Sequence, residues 1–190
     1  MAMPDIPMYV FTGFLESGKT KFIQETLEDE RFNTGERTLL LVFEEGEEEY
    51  DISAMPCQEI YIRTIEEPEE LNPAHLQALL KACGATRVVL EYNGMWQMEK
   101  LYREVLPANW VLYQIMTFVQ APTFELFVKN MGQLMMEKIT NADMIVFNRC
   151  DDKLKESLRA RNLRMVNRRA DIYLEDNDGN SEDYLSLIHI

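Results

Sequence analysis

Short apolar runs alternate with longer amphipathic stretches along this chain, and turn residues separate them. The apolar runs predict strands at residues 8–12, 38–43, 59–63, 87–91, 110–119, 144–147 and 171–174. The amphipathic stretches predict helices at residues 19–27, 73–83, 97–106, 123–136 and 152–161. Each predicted strand is short and apolar, which is typical of strands buried on both faces. The pattern therefore predicts an α/β fold, a mostly parallel sheet with helices on its faces.

The chain has 190 residues, which is enough to bury one good core but few for two. We therefore predict one domain over residues 1–176. Residues 177–190 show no clear pattern of their own and are predicted to form an irregular tail, with a final short strand as the alternative.

Acidic residues outnumber basic ones, 33 against 19, which gives a net charge of -14. Such a charge disfavours nucleic acid as a partner, because a phosphate backbone is held by basic side chains. The sequence has no apolar run of about 20 residues, and its first residues have neither the basic start nor the apolar stretch typical of a signal peptide. We therefore expect a cytoplasmic protein with no membrane partner, whose three widely spaced cysteines are reduced thiols.

Residues 13–20 match the pattern G-x-x-x-x-G-K-[ST] at every fixed position, between a predicted strand and a predicted helix. In such a loop, backbone N–H groups and the helix N-terminus surround phosphates, a lysine adds positive charge, and a hydroxyl binds Mg²⁺. The alternative is a glycine turn that merely starts a helix. The residues predicted to bind nucleotide here are Gly13, Glu16, Ser17, Gly18, Lys19 and Thr20, with Glu16 acting through its N–H while its carboxylate points away.

The predicted strand 87–91 ends in Glu91, and Gly94 follows three residues later. In phosphate-loop NTPases, an acid at this place holds the Mg²⁺ shell, and a glycine N–H can contact the γ-phosphate. We therefore predict that Thr20 and Glu91 bind Mg²⁺, that Lys19 and Glu91 are catalytic, and that Gly94 contacts the nucleotide. An ordinary strand that ends before a turn gives the same pattern.

Asn148 and Asp151 follow another predicted strand as Asn-x-x-Asp. A carboxylate at Asp151 can accept from N1–H and N2–H₂ of guanine, a donor pair that adenine lacks. These residues are therefore predicted to select GTP over ATP. Alternatively, Asp151 or Asp152 is the N-cap of the following helix.

Three stretches of the chain resemble the CobW-like GTPases, which are relatives of HypB and UreG. They are residues 12–20, residues 91–94 with Glu in place of Asp, and residues 142–151 with Ala-Asp before Asn-x-x-Asp. Residues 166–172 also resemble the family's Asn-Pro-x-Ala segment near the guanine. The resemblance extends from about residue 7 to residue 173.

The resemblance implies a phosphate-loop three-layer sandwich that binds GTP with Mg²⁺ and hydrolyses it slowly. It further implies insertion or delivery of a metal into a client metalloprotein. Dependence on a partner or a homodimer is expected for a separate reason, because the sequence identifies no residue that positions the attacking water. Family members commonly carry a second, C-terminal domain, so we expect this chain to be the truncated part of a longer protein.

The chain departs from the family at several places. Where family members usually have a Cys-x-Cys-Cys cluster, this chain has Cys57 and Cys83, which leaves binding of Zn²⁺ or another transition metal open. Arg149 replaces the usual Lys, Gln120 stands where Asp is common, and Lys138 stands where Gln is common.

An acidic run occupies the place of the family's switch segment. Its carboxylates at Glu45, Glu47 and Asp51 are candidate ligands for Mg²⁺ or another cation, although a solvated acidic loop fits the same residues. Glu47 and Tyr92 are candidates for positioning water by location alone, so we expect a slow intrinsic rate.

Two other functions fit the same motifs. One is an ATP-dependent kinase or ATPase built on the same loop. The other is a regulatory module that binds nucleotide and uses hydrolysis only to change partners.

Overall fold

The computed structural model describes residues 4–43, 49–55, 59–65 and 67–185. The strands are β1 (Ile6–Thr12), β2 (Thr38–Val42), β3 (Ile60–Thr64), β4 (Arg87–Glu91), β5 (Trp110–Gln120), β6 (Met144–Asn148), β7 (Asp171–Glu175) and β8 (Ser181–Asp183). The α-helices are α1 (Lys19–Glu28), α2 (Pro73–Cys83), α3 (Met98–Lys100), α4 (Phe124–Asn141) and α5 (Asp152–Ala160). A π-helical turn at Leu101–Val105 continues α3, and 3₁₀ turns lie at Ile52–Ala54, Pro68–Glu70, Ala121–Thr123 and Leu163–Met165.

The strands form one sheet in the order β3-β2-β4-β1-β5-β6-β7-β8. Neighbouring strands are parallel except for β7 and β8, which are antiparallel. The predicted mostly parallel sheet is therefore confirmed. Because β1, β4, β5 and β6 are parallel neighbours, their carboxyl ends meet at one edge, where ligands bind in open α/β sheets.

Helices cover both faces of the sheet. On one face, α1 packs through Ile23 and Leu27 onto a cluster that includes Val89 of β4. Side chains of successive strand residues point to opposite faces, so Val88 and Leu90 lie on the other face, in a cluster with residues of α2 and α3. A further cluster joins α4 and α5 to β6 and β7. The layers are thus helix, sheet and helix, as a three-layer sandwich requires.

The helix α2 begins and ends where local signals place it. The side chain of Asn72 accepts a hydrogen bond from the N–H of His75, and Pro73 occupies the first helical position. Gly84 adopts the left-handed conformation that ends many helices. These signals explain why the predicted bounds of this helix agree with the structure.

Strand β8 lies within residues 177–190, for which the sequence pattern predicts an irregular tail. Its residues, Ser181–Asp183, are polar throughout, so they carry no alternation from which a strand can be predicted. Tertiary contacts hold the strand instead. Arg159 of α5 donates to Glu182 at 2.8 Å, and the buried hydroxyl of Tyr184 donates to the Leu158 carbonyl at 3.0 Å.

Two helices also differ from prediction. The predicted helix 97–106 is split into α3 and the π-helical turn, and α4 extends to Asn141 rather than ending near residue 136. The α4 backbone is non-helical at Met131, with φ -136° and ψ 40°. The apolar spacing continues across this kink, which explains why periodicity alone does not reveal it.

In the parts of the chain that the structure describes, every helix is too short or too polar to cross a membrane.

Candidate functional site

The loop between β1 and α1 folds around the ammonium group of Lys19. Lys19 is 3% exposed, and its Nζ donates to the carbonyls of Gly13, at 2.9 Å, and Phe14, at 3.0 Å. Gly13 has φ of 145°, and a Cβ there would lie 2.3 Å from the carbonyl oxygen of Phe118, so this position requires glycine. The structure thus places a positive charge at the centre of a strand–loop–helix turn.

The backbone of this loop is suited to an anion. Glu16 and Gly18 adopt left-handed conformations, with φ of 60° and 87°. Loops of this kind gather successive N–H groups into concavities that bind anions. The first turn of α1 carries no acidic residue of its own, and the N–H groups at a helix N-terminus favour an anion. The side chain of Glu16 is exposed, which agrees with a carboxylate that points away from the loop.

The loop and the end of β4 meet through Thr20 and Glu91. The hydroxyl of Thr20 donates to Oε1 of Glu91 at 2.9 Å, and Glu91 is 3% exposed. The hydroxyl of Tyr50 donates to the other carboxylate oxygen, Oε2. A buried carboxylate beside a hydroxyl is the pair of hard oxygen ligands that Mg²⁺ accepts together with substrate phosphates and water. These residues therefore fit the ion that the sequence predicts.

Gly94 lies against the phosphate loop. A Cβ at this position would lie 2.2 Å from the Gly13 carbonyl oxygen and 2.6 Å from Cα of Phe14. Glycine is required here because two backbone segments approach too closely for a side chain. Movement of either backbone segment towards the other is therefore blocked by direct contact.

Asn148, the last residue of β6, contacts the same loop. Its Nδ2 donates to the Ser17 carbonyl at 2.7 Å, and a Cβ on Gly18 would lie 2.8 Å from that nitrogen. Beside this contact is an open cleft of about 340 Å³ on the face that α1 covers. Its lining includes Gly18, Lys21, Phe22, Glu25, Phe118, Val146, Asn148, Arg149 and residues 175–179.

Asp151 occupies a different environment from Asn148. It is the exposed N-cap of α5, and its Oδ1 accepts from the N–H of Leu154 at 2.7 Å. The capping alternative raised by the sequence is therefore observed. Arg149, on the lining of the cleft, has a left-handed φ of 57°. A role for Asp151 in reading guanine remains a prediction, since one oxygen already serves the helix.

Acidic groups shape the far wall of the cleft. Burial raises the pKa of the Glu175 carboxyl, although the nearby ammonium of Lys21 opposes this rise. Hydrogen bonds from the side chain and N–H of Asn180 lower the pKa of Asp176, which accepts from the Asn180 N–H at 2.9 Å. Carboxylates there favour ligand groups that donate hydrogen bonds, such as ring N–H or ribose hydroxyls.

Several predicted residues are not at this edge or lie outside the described residues. Asn167 precedes β7 and donates to the carbonyls of Ile139 and Ala142, both at 2.8 Å. Residues 166–170 therefore lie at the opposite edge of the sheet from Asn148, which contradicts their expected place near guanine. Glu45, Glu47 and Cys57 lie outside the described residues.

Two further candidates have structural partners. Asp51 caps the turn Ile52–Ala54 by accepting from the N–H of Ser53 at 2.9 Å, and that residue's hydrogen bonds lower the pKa of Asp51. A cation contact by Asp51 remains a prediction. The hydroxyl of Tyr92 is directed at the Gln97 carbonyl, 3.0 Å away, and burial raises its pKa. That hydrogen bond argues against Tyr92 as the residue that positions water.

Sequence reasoning missed two contacts. Tyr50 reaches Glu91 across 41 positions of sequence. Gln120, at the end of β5, donates from Nε2 to the Glu16 carbonyl at 2.5 Å. No local pattern marks Tyr50, because one aromatic residue after an acidic run has no characteristic spacing. The end of a strand beside the phosphate loop was the available signal for Gln120.

The comparisons with known proteins agree with this geometry. A family model, CobW/HypB/UreG, nucleotide-binding domain, matches residues 7–173. A search of curated proteins found no match.

Among the described residues, no group of three or more His, Cys, Asp or Glu side chains is placed to hold a metal ion.

Solved structures share the fold. Zn(II)-bound YjiA GTPase from E. coli has a TM-score of 0.61 and 23% identity, over 92% of this chain and 59% of that chain. HypB from Archaeoglobus fulgidus has a TM-score of 0.57 and 19% identity, and the match covers 92% of this chain and 82% of that chain. HypB from Helicobacter pylori in complex with nickel has a TM-score of 0.53 and 12% identity, and the match covers 91% of this chain and 80% of that chain.

This chain spans 59% of the length of the YjiA structures that it matches. At these identities the structural likeness concerns the fold, whereas the family model matches most of the sequence. Its match includes the phosphate loop, Glu91 and Asn148. The chain belongs to the CobW/HypB/UreG family of nucleotide-binding domains.

Proposed function

We propose that this chain binds GTP with Mg²⁺ at residues 13–20 and hydrolyses it slowly. The observation that carries the proposal is the position of Lys19, whose buried ammonium is held by loop carbonyls 2.9 and 3.0 Å away. A buried cation inside a strand–loop–helix turn is suited to a polyanion. Thr20 and Glu91 supply oxygen ligands beside it, 2.9 Å apart.

Each residue has a distinct role in this proposal. Loop N–H groups and Lys19 bind the β- and γ-phosphates, and Lys19 takes up charge as water attacks in line. Thr20 and Glu91 would hold Mg²⁺, which supplies further positive charge to the phosphate oxygens when bound. Gly94 would contact the γ-phosphate through its N–H. We expect the rate to be slow, because no residue is identified that positions the attacking water: of the two candidates, Tyr92 donates to the Gln97 carbonyl and Glu47 lies outside the described residues.

The base would lie in the cleft between α1 and residues 175–179. Asn148 braces the phosphate loop there, and Arg149 offers a guanidinium plane for stacking. Asp151 does not line the cleft itself; from the start of α5, two residues after Arg149, its carboxylate would accept from N1–H and N2–H₂ of guanine while it also caps the helix. This arrangement favours guanine over adenine.

We further propose that nucleotide binding serves metal handling. The supporting observation is the family, together with relatives solved as Zn(II)-bound YjiA GTPase and as HypB in complex with nickel. In the GTP-bound state the chain would interact with a client metalloprotein or form a homodimer, and a transition metal would be the cargo.

Calorimetric titration with GTP and Mg²⁺ tests the nucleotide site. We expect Lys19→Ala to lose about 1.5–3 kcal/mol of binding free energy, because one charge-assisted contact to phosphate is removed. The matched control is Lys129→Ala, which removes an exposed lysine of α4 and should bind as the parent does. Circular dichroism should show the same fold for all three proteins. Equal GTP affinity in Lys19→Ala and the parent contradicts the proposal.

A further inference from the structure

Two amide side chains hold successive peptide groups of the phosphate loop. Gln120 Nε2 donates to the Glu16 carbonyl at 2.5 Å, and Asn148 Nδ2 donates to the Ser17 carbonyl at 2.7 Å. Gln120 and Asn148 are also register partners, as the last residues of the adjacent strands β5 and β6. The carboxyl ends of two adjacent strands therefore hold the loop by hydrogen bonds at two consecutive residues, Glu16 and Ser17.

Gripping these carbonyls fixes the direction of the loop N–H groups. In a planar trans peptide, the C=O of one residue and the N–H of the next point in opposite directions. A Glu16 carbonyl held by Gln120 therefore turns the Ser17 N–H to the other side, where it donates to the Phe14 carbonyl at 3.1 Å. In the same way, Asn148 sets the direction of the Gly18 N–H.

Glu16 needs such support because its backbone is strained. Its φ of 60° lies in the left-handed region, which residues with a Cβ adopt at an energetic cost. Gln120 itself is well fixed, since the hydroxyl of Thr123 donates to the Gln120 carbonyl at 3.3 Å and Pro122 restricts the turn. The hydrogen bond thus joins a strained loop residue to a rigid element.

We propose that Gln120 is a positioning residue of the phosphate site: it holds the Glu16–Ser17 peptide in the turn that the Ser17 N–H closes on the Phe14 carbonyl, and so keeps the loop in the shape that binds the nucleotide phosphates. This inference rests on the proposed function. In this chain the contact requires the amide donor, since a Glu of equal length accepts rather than donates and adds negative charge beside phosphate. Relatives with Asp at this position cannot make the same contact.

The test compares Gln120→Met, which loses the donor without adding charge, with Gln120→Glu, which also adds charge. The control is Gln133→Glu, which adds the same charge at an exposed position of α4. Affinities for GDP, GTP and ATP are measured by competition at low and high salt, with unfolding midpoints measured without nucleotide.

We expect Gln120→Met to bind GTP and GDP about fivefold more weakly, as the loss of one neutral hydrogen bond predicts. Gln120→Glu should bind at least about tenfold more weakly at low salt, and added salt should reduce this difference. The GTP/ATP affinity ratio should match the parent in both variants, because the base site is not altered. The unfolding midpoint should fall only slightly, because the lost hydrogen bond is exposed and lies outside the core.

Parent-like affinity in Gln120→Met overturns the inference, as does a lowered unfolding midpoint with unchanged affinity, which is the signature of a purely structural role. A parent that prefers ATP contradicts the guanine part of the proposed function instead. The effect of Gln120 can then still be measured with ATP, because the loop binds phosphates of either nucleotide. A parent that binds no triphosphate contradicts both.

Discussion

The hydroxyl of Thr20 lies 2.9 Å from a carboxylate oxygen of Glu91, although 71 positions of sequence separate the two residues. The contact exists because β1 and β4 are adjacent parallel strands, with Phe11 opposite Glu91. The residues that follow one strand are thereby brought to the end of the other. This contact connects the phosphate loop to the strand that ends in an acid.

The Thr20–Glu91 pair leads to a prediction about magnesium. In Glu91→Gln and in Thr20→Val, Mg²⁺ should raise GTP affinity at least about tenfold less than in the parent, since one hard oxygen ligand is lost. Thr140→Val is the matched control, because that hydroxyl donates within α4 to the Met136 carbonyl. The measurement is a GTP titration with Mg²⁺ and with excess chelator. A parent-like magnesium effect in both variants would show that the pair does not hold the ion.

Local sequence signals were sufficient for most of the fold and for the phosphate loop. The bounds of α2 and β4 follow from a cap, a proline and an unbroken apolar run. The glycines that the motif fixes within residues 13–20 stand where the backbone has no room for a side chain. Gly13, for example, lies too close to the Phe118 carbonyl for any Cβ.

Contacts made only in the folded chain could not be predicted. Strand β8 is polar and is held by Arg159 and Tyr184, so its pattern resembles that of a loop. Tyr50 and Gln120 contact the site through hydrogen bonds to residues far away in the sequence, and no sequence spacing marks such contacts. Family resemblance placed residues 166–172 near guanine, and only the strand direction shows that they lie at the other edge.

Gly94 provides a test of the contact between the loops. Gly94→Ala should cost about 1–3 kcal/mol of stability or binding energy, because the new methyl group would overlap the Gly13 backbone. Gly132→Ala is the control, since a Cβ there meets nothing within 4 Å. Urea unfolding and GTP titration of both variants measure the two effects. Gly94→Ala with parent-like stability and affinity would show that the loops separate freely.

The thiol of Cys150 should be unreactive in the folded chain. It is 2% exposed, and burial raises its pKa to about 11, so the reactive thiolate is scarce at pH 8. Alkylation by iodoacetamide at pH 8, followed by peptide mass mapping, should be much slower than in the urea-unfolded chain. Because the pKa is raised, labelling should accelerate as the pH rises above 9. Equal rates in folded and unfolded protein would contradict the burial of this thiol.

Zinc affinity tests the departure from the family's cysteine pattern. The chain has Cys57 and Cys83 where a Cys-x-Cys-Cys cluster is usual, whereas tight zinc sites have three or four ligands. We therefore predict that Zn²⁺ binds no more tightly than about micromolar, since soft ligands are too few. Competition with a zinc-binding dye measures this affinity. Nanomolar binding that is lost in Cys57→Ser would restore a thiolate site.

Selection of guanine is the central claim that remains to be measured. Adenine presents no donor at N1, so it cannot donate to Asp151 the hydrogen bonds that guanine would donate from N1–H and N2–H₂. Replacing one acceptor oxygen by a donor in Asp151→Asn should weaken GTP and favour xanthosine triphosphate, whose C2 oxygen accepts a hydrogen bond. Asn is also a good N-cap, so α5 should keep its stability.

The decisive measurement is competition binding of GTP, ATP and xanthosine triphosphate to the parent and to Asp151→Asn. Our account predicts that the parent prefers GTP to ATP strongly and that Asp151→Asn exchanges this preference for xanthosine triphosphate. Equal affinity of the parent for ATP and GTP would contradict the account and indicate an ATPase or kinase built on the same loop.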